Sequence, residues 1–123
     1  MRKTYVVDID GTIFKHLMDL STILEDAQYE DTKALPGVRE VFDRWKNESA
    51  FIILLTARPE SMREITEKQV SKANLFFDQL VMGVGNGPRY IINDVKTNGM
   101  VTAHAISVER NKGFAHIEEL NEH

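Results

Sequence analysis

The sequence predicts an α/β domain built on a largely parallel sheet. Three observations carry this expectation. Short apolar runs rich in β-branched residues recur at 5–9, 51–55 and 90–92. Stretches with helical spacing lie between them, the order that leaves strands parallel and joined by crossover helices. Each run also ends in a polar group, as strands do where a parallel sheet carries a site. The 123 residues suffice for one domain, and 42% hydrophobic with 28% charged residues is a globular balance.

Tyr5-Val6-Val7-Asp8-Ile9 reads as a buried strand that stops at Gly11. Residues 13–33 are irregular. Leu17, Leu20 and Leu24 have partial helical spacing, and 25–32 is polar, either a solvated loop or a flap over the site. Pro36 and Gly37 open a clear helix in which Val38, Val41, Phe42 and Trp45 form an apolar stripe. It ends at 47–49. The run 51–55 is apolar throughout, as expected of a central parallel strand covered on both faces. Pro59 suits the first position of the next helix, with Glu60 complementing its N-terminus. That helix is expected to run to about Ala73 and stop at Asn74. Leu80-Val81-Met82 reads as a short strand and 83–88 as turn. Tyr90-Ile91-Ile92 reads as another buried strand, 101–108 as a last one, and 113–120 as a short helix. Only six residues separate Met82 from Arg89, against about a dozen for a parallel crossover. The strand at Leu80 is therefore either very short or antiparallel at an edge.

Fifteen basic residues against nineteen acidic give a net charge of −4, which argues against a protein built to coat nucleic acid. The absence of cysteine excludes a disulfide scaffold, a thiolate metal site and a thiol nucleophile, and fits a reducing compartment. The longest apolar run, 50–55, is far short of a membrane span, and the N-terminus enters a strand without an apolar signal region. A cytoplasmic protein with no membrane partner is expected.

The first strand ends in Asp8-Ile9-Asp10-Gly11-Thr12, the second in Thr56-Ala57-Arg58, and the run at 90–92 in Asn93-Asp94. Sites of open α/β sheets lie beyond the carboxyl ends of strands. The three carboxylates and the Thr56 hydroxyl are thus expected in one pocket. Carboxylates a few Å apart repel, so a cation is expected among them, and oxygen-only ligands suit Mg²⁺ before Ca²⁺ or Zn²⁺. Plainer readings exist: Asp10-Gly11 as a turn, Thr56 as a helix cap, Asp94 as a strand-to-turn residue, Arg58 as a solvated charge at a helix start.

Asp8-Ile9-Asp10-Gly11-Thr12 after an apolar strand resembles the first motif of the haloacid dehalogenase-like (HAD) phosphohydrolase superfamily. The strand at 51–56 followed by Ala57-Arg58 resembles its second motif, and Ile91-Ile92-Asn93-Asp94 its acidic fourth. The order matches, and the resemblance covers roughly residues 4–110. It implies a Rossmann-like three-layer sandwich with a largely parallel central sheet. No cap domain is implied, because neither 11–55 nor 57–93 leaves room for one. It also implies a Mg²⁺-dependent phosphomonoesterase acting through an aspartyl phosphate. Asp8 would be the nucleophile, Asp10 the general acid and then base, and Thr56 a donor to a phosphoryl oxygen. Asp8, Asp10 and Asp94 would hold Mg²⁺, with Gly11, Thr12, Ala57 and Arg58 around the substrate.

The superfamily's third motif is a Lys or Arg, and the corresponding Met82-Gly83-Val84-Gly85 has none. Arg89 is the first replacement expected and Lys96 the second. An uncapped site must gain its water exclusion from a macromolecular substrate or a neighbouring subunit, and a homo-oligomer is expected. The expected substrate is a small phosphorylated metabolite, a sugar phosphate or nucleotide. Two alternatives stand beside it. A polynucleotide-end phosphatase would use a basic track of Arg58, Arg63 and Arg89, and a catalytically silent HAD-like domain would bind a ligand or partner.

Overall fold

Three strands form a parallel sheet in the order β1-β2-β3: β1 (Thr4–Asp8), β2 (Phe51–Leu55) and β3 (Gln79–Val81). The structure is a computed structural model and describes residues 2–16 and 33–121. Leu17, Leu20, Leu24 and the 25–32 segment lie outside the described residues. Asp8 is level with Leu55, and Leu55 with Val81, so the three carboxyl ends share one rim. The open question about Leu80 is answered: β3 is both very short and parallel.

Helix α1 (Val38–Asn47) joins β1 to β2, and helix α2 (Arg63–Lys72), entered through a 3₁₀ turn at Glu60–Met62, joins β2 to β3. The predicted stripe Val38, Val41, Phe42 and Trp45 is the buried face of α1. Strand alternation puts Tyr5, Val7, Ile52, Leu54 and Leu80 on one face of the sheet, and these residues pack with the stripe in the core. Tyr5 stacks on Trp45 with ring centroids 4.0 Å apart, and Phe42 meets Phe76 edge-on. Val70, Ala73 and Leu75 extend the core from the end of α2, where Asn74 takes a left-handed turn.

The opposite face is different. Val6 and Val81 are exposed and Ile53 only half-buried. Among the described residues β2 is thus covered on one face, where the sequence predicted two. The strand order accounts for this: two successive crossovers in one direction, given the right-handed rule for such connections, put both helices on the same side, and residues of both share one core.

The C-terminal segment returns to α1. The Phe114 and Ala115 N–H groups both donate to the Pro36 carbonyl, at 2.8 and 3.2 Å, and Phe114 is buried beside Trp45. Gly113 has φ +76, and a Cβ there would come within 2.8 Å of the Pro36 nitrogen. The helix expected at 113–120 is confined to a final turn, α3 (Glu118–Asn121).

Two expected strands are not formed. Tyr90-Ile91-Ile92 and 101–108 carry no strand, and Ile92 is 93% exposed. Between 85 and 108 the described backbone-to-backbone hydrogen bonds are those of a tight turn at Lys96 to Met100. For Tyr90-Ile91-Ile92 the short link after β3 is the physical reason, since it cannot carry a crossover back to a parallel position in the sheet; nothing in the structure explains why 101–108 forms no strand. No helix of the described residues is long and apolar enough to cross a membrane.

Candidate active site at the carboxyl rim of the sheet

The loop after β1 closes on one carbonyl. The N–H groups of Thr12, Ile13 and Phe14 all point at the Ile9 oxygen, at 3.2, 3.0 and 3.2 Å, while Gly11 N–H donates to the Phe14 oxygen. Ile9, Ile13 and Phe14 are buried and anchor the loop. Gly11 has φ +85, and Arg110 packs so closely over it that a Cβ would lie 3.2 Å from the Arg110 Cγ. Both the turn and the close approach favour glycine here. Asn111 N–H donates to the Gly11 oxygen, and its Oδ1 accepts from His16 N–H. Thr12 contributes its backbone to the loop.

The loop after β2 is sewn to the end of β3. Thr56 N–H donates to the Val81 oxygen, Gly83 N–H to the Arg58 oxygen, and Val84 N–H to the Thr56 oxygen. Ala57 lies inside this ladder. The Thr56 hydroxyl accepts the Arg58 N–H at 3.1 Å, and Thr56 is 1% exposed. The helix cap weighed for Thr56 is not formed: its hydroxyl bonds within the loop, ahead of the 3₁₀ turn, whose start carries no side-chain cap. A contact to a phosphoryl oxygen requires the rim to open around it.

Arg58 is not a solvated charge. Its side chain is 3% exposed and forms a two-pronged pair with Asp10, Nε to Oδ2 at 3.0 Å and Nη2 to Oδ1 at 2.8 Å. Its Nη1 donates to Thr66 Oγ1 at 3.0 Å and Gln69 Oε1 at 2.7 Å. Thr66 and Gln69 are themselves buried on α2. Neither was singled out from the sequence, although a signal was there: they stand at i and i+3 before Val70, on the face an ordinary helix would make apolar.

Asp8 has a different setting. It remains 39% exposed, and Arg89 Nη1 approaches its Oδ1 at 3.5 Å. Burial raises the Asp8 carboxyl above the ordinary aspartate value of 3.8, against the opposing pull of the Ile9 backbone hydrogen bond and the Arg89 charge, while nearby Asp10 adds to the rise. Of the two cations expected to replace the missing basic motif, Arg89 reaches Asp8. Lys96 instead pairs with Asp94 at 3.5 Å, on the exposed segment that follows β3.

Asp8, Asp10, Gly11, Thr12, Thr56, Ala57 and Arg58 are thus brought to one rim by β1, β2 and their loops, and Arg89 reaches the same rim from the segment after β3. Asp94 is on the exposed segment, with its side chain 76% exposed. Among the described residues no three metal-ligating side chains cluster. The expected Mg²⁺ rested on three carboxylates facing one another without compensation. In the fold Asp10 and Asp8 each face an arginine, so the formal charge of these four groups balances. No family model, curated protein or solved structure matches the chain.

Proposed function

We propose that the protein is a phosphomonoesterase of HAD-like type, acting on a small phosphorylated metabolite through a phosphoryl group carried on Asp8. One observation carries the reading: a half-exposed carboxylate at the end of β1, with a guanidinium 3.5 Å away and a second carboxylate fixed two residues on. Asp8 would form a bond to phosphorus as the ester P–O bond breaks, with Asp10, which enters this step as the carboxylic acid, giving the departing oxygen its proton. Asp10 would then take a proton from water as that water attacks phosphorus, releasing inorganic phosphate and restoring the Asp8 carboxylate. Arg89 would balance charge on the phosphoryl oxygens.

Mg²⁺ belongs to the proposal through the motif resemblance. The residues fit it only in part: Asp8 offers an accessible carboxylate, both Asp10 oxygens are engaged by Arg58, and Asp94 stands on the exposed segment.

The polynucleotide-end reading is less well supported. It needs Arg58, Arg63 and Arg89 as a free basic track. Arg58 is buried, and Arg63 is held by Glu60, Glu67 and the Leu80 carbonyl. A homo-oligomer remains part of the proposal, with the exposed apolar Val6, Val81 and Tyr90-Ile91-Ile92 as surface for a second copy.

The test is release of inorganic phosphate over a panel of sugar phosphates, nucleotides and a 3′-phosphorylated oligonucleotide, with Mg²⁺ and with chelator. Turnover of at least one small ester by the wild type and none by Asp8→Asn is expected. Equal rates for the two proteins would remove Asp8 from the mechanism, and no hydrolysis of any ester would favour the silent binding domain.

A further inference from the structure

We infer that Arg58 is a positioning residue, which fixes the Asp10 carboxylate from inside the protein and does not bind the substrate's phosphate. The inference rests on the phosphatase reading and adds to it a role for a side chain that the sequence placed among the substrate contacts. Four of the five guanidinium N–H groups are already used, two by Asp10 and two by Thr66 and Gln69. The side chain is sealed from solvent, so a phosphate arriving at the rim meets Asp10 before it could meet Arg58. No buried side-chain nitrogen or oxygen among the described residues lacks a partner, so every nitrogen of the Arg58 guanidinium already has a protein acceptor.

The geometry is that of a clamp with two sides. Thr66 and Gln69 are fixed to one face of α2, one turn apart, and their oxygens hold Nη1. With that edge of the planar group fixed, Nε and Nη2 can face only one direction, and Asp10 occupies it. A carboxylate gripped through both oxygens cannot turn about its last torsion. Proton transfer depends steeply on such alignment. A lysine would keep the charge but offer no fork, and would not reproduce the clamp.

The test combines Arg58→Ala, Arg58→Lys and the double variant Thr66→Val/Gln69→Leu with Asp8→Asn and Asp10→Asn, on p-nitrophenyl phosphate and on the best alkyl ester of the panel. Arg58→Ala is expected to lower kcat by about 10²-fold with KM changed less than about threefold, in the range of a misplaced proton-transfer group. Arg58→Lys should recover little of this. The Thr66→Val/Gln69→Leu variant, which leaves Arg58 and Asp10 in place, should fall about threefold to tenfold in kcat. It keeps the test decisive if Arg58→Ala does not fold. In the Asp10→Asn background Arg58→Ala should cost less than about threefold more, because the residue acts through Asp10. On p-nitrophenyl phosphate, whose leaving group needs little protonation, acid-quenched Arg58→Ala enzyme should carry more phosphate on Asp8 than the wild type.

A raised KM with unchanged kcat would make Arg58 a substrate contact and overturn the inference. An Arg58→Ala effect undiminished in the Asp10→Asn background, or wild-type kcat in the Thr66→Val/Gln69→Leu variant, would overturn it too. If Asp8→Asn is inactive while these results appear, the phosphatase reading stands and only the role of Arg58 falls. If Asp8→Asn turns over normally, both fall together.

Discussion

Asp8 and Asp10 are two residues apart and live in different environments. Asp10 is held by a buried arginine, whereas Asp8 is partly desolvated and meets a single, longer contact to Arg89. A folded-state value raised above 3.8 means that the native protein binds the Asp8 proton more tightly than the unfolded chain does. This contribution to stability is therefore present at low pH. It is lost as pH rises from 3.8 through the raised value, and stays lost at neutral pH. Asp8→Asn removes the charged form, so thermal melts at pH 7 should place that variant at or above the wild-type Tm, with the gap closing below pH 4 or so. A large fall in Tm at pH 7 would contradict it. The acid limb of kcat/KM should likewise sit above the ordinary aspartate range, and Arg89→Ala should move it further up while lowering the rate about 10²-fold. At this scale placement was legible in the sequence and state was not: strand-end position puts Asp8, Asp10, Thr56 and Arg58 on one rim, where the structure has them. That Arg58 would be consumed by Asp10 was not legible, because it depends on Thr66 and Gln69 arriving from another element.

The helix α1 and strands β1 and β2 follow directly from their apolar patterns, which need only one covered face to be satisfied. Tyr90-Ile91-Ile92 has an equally apolar pattern and forms nothing. Pattern alone does not place a strand; the connection must also reach, and six residues after β3 do not suffice for a parallel return. The close contact of the C-terminal segment with Pro36 was also invisible in the sequence, because Gly113 and Pro36 are joined only by the fold. Gly113→Ala tests that contact. The added methyl would meet Pro36 backbone at a φ of +76, and chemical denaturation should show a loss of more than about 2 kcal/mol. Gly85→Ala is the control, since nothing lies within 4 Å of its would-be Cβ and the change should be close to neutral. Similar losses at both positions would contradict this packing.

For the molecule as a whole, the covered face of the sheet, α1, α2 and the C-terminal turn share one core, and the 84–107 segment stands apart from it. Backbone with few hydrogen bonds and exposed side chains is where proteases enter first. Brief trypsin treatment should therefore cut at Lys96 before any site in α1 or α2, and mass mapping of the first fragments checks this; first cuts within α2 would contradict the arrangement. The absence of cysteine excludes thiol redox chemistry, and the net charge of −4 and the engaged Arg58 and Arg63 argue against a basic nucleic-acid groove. The most direct measurement is to mix the protein with a hydrolysed ester, quench in acid within one turnover and map the phosphorylated residue by mass spectrometry. A phosphoryl group on Asp8 in the wild type, and none in Asp8→Asn, is the expected result. A phosphoryl group on another residue, or phosphate release at full rate from Asp8→Asn, would contradict it.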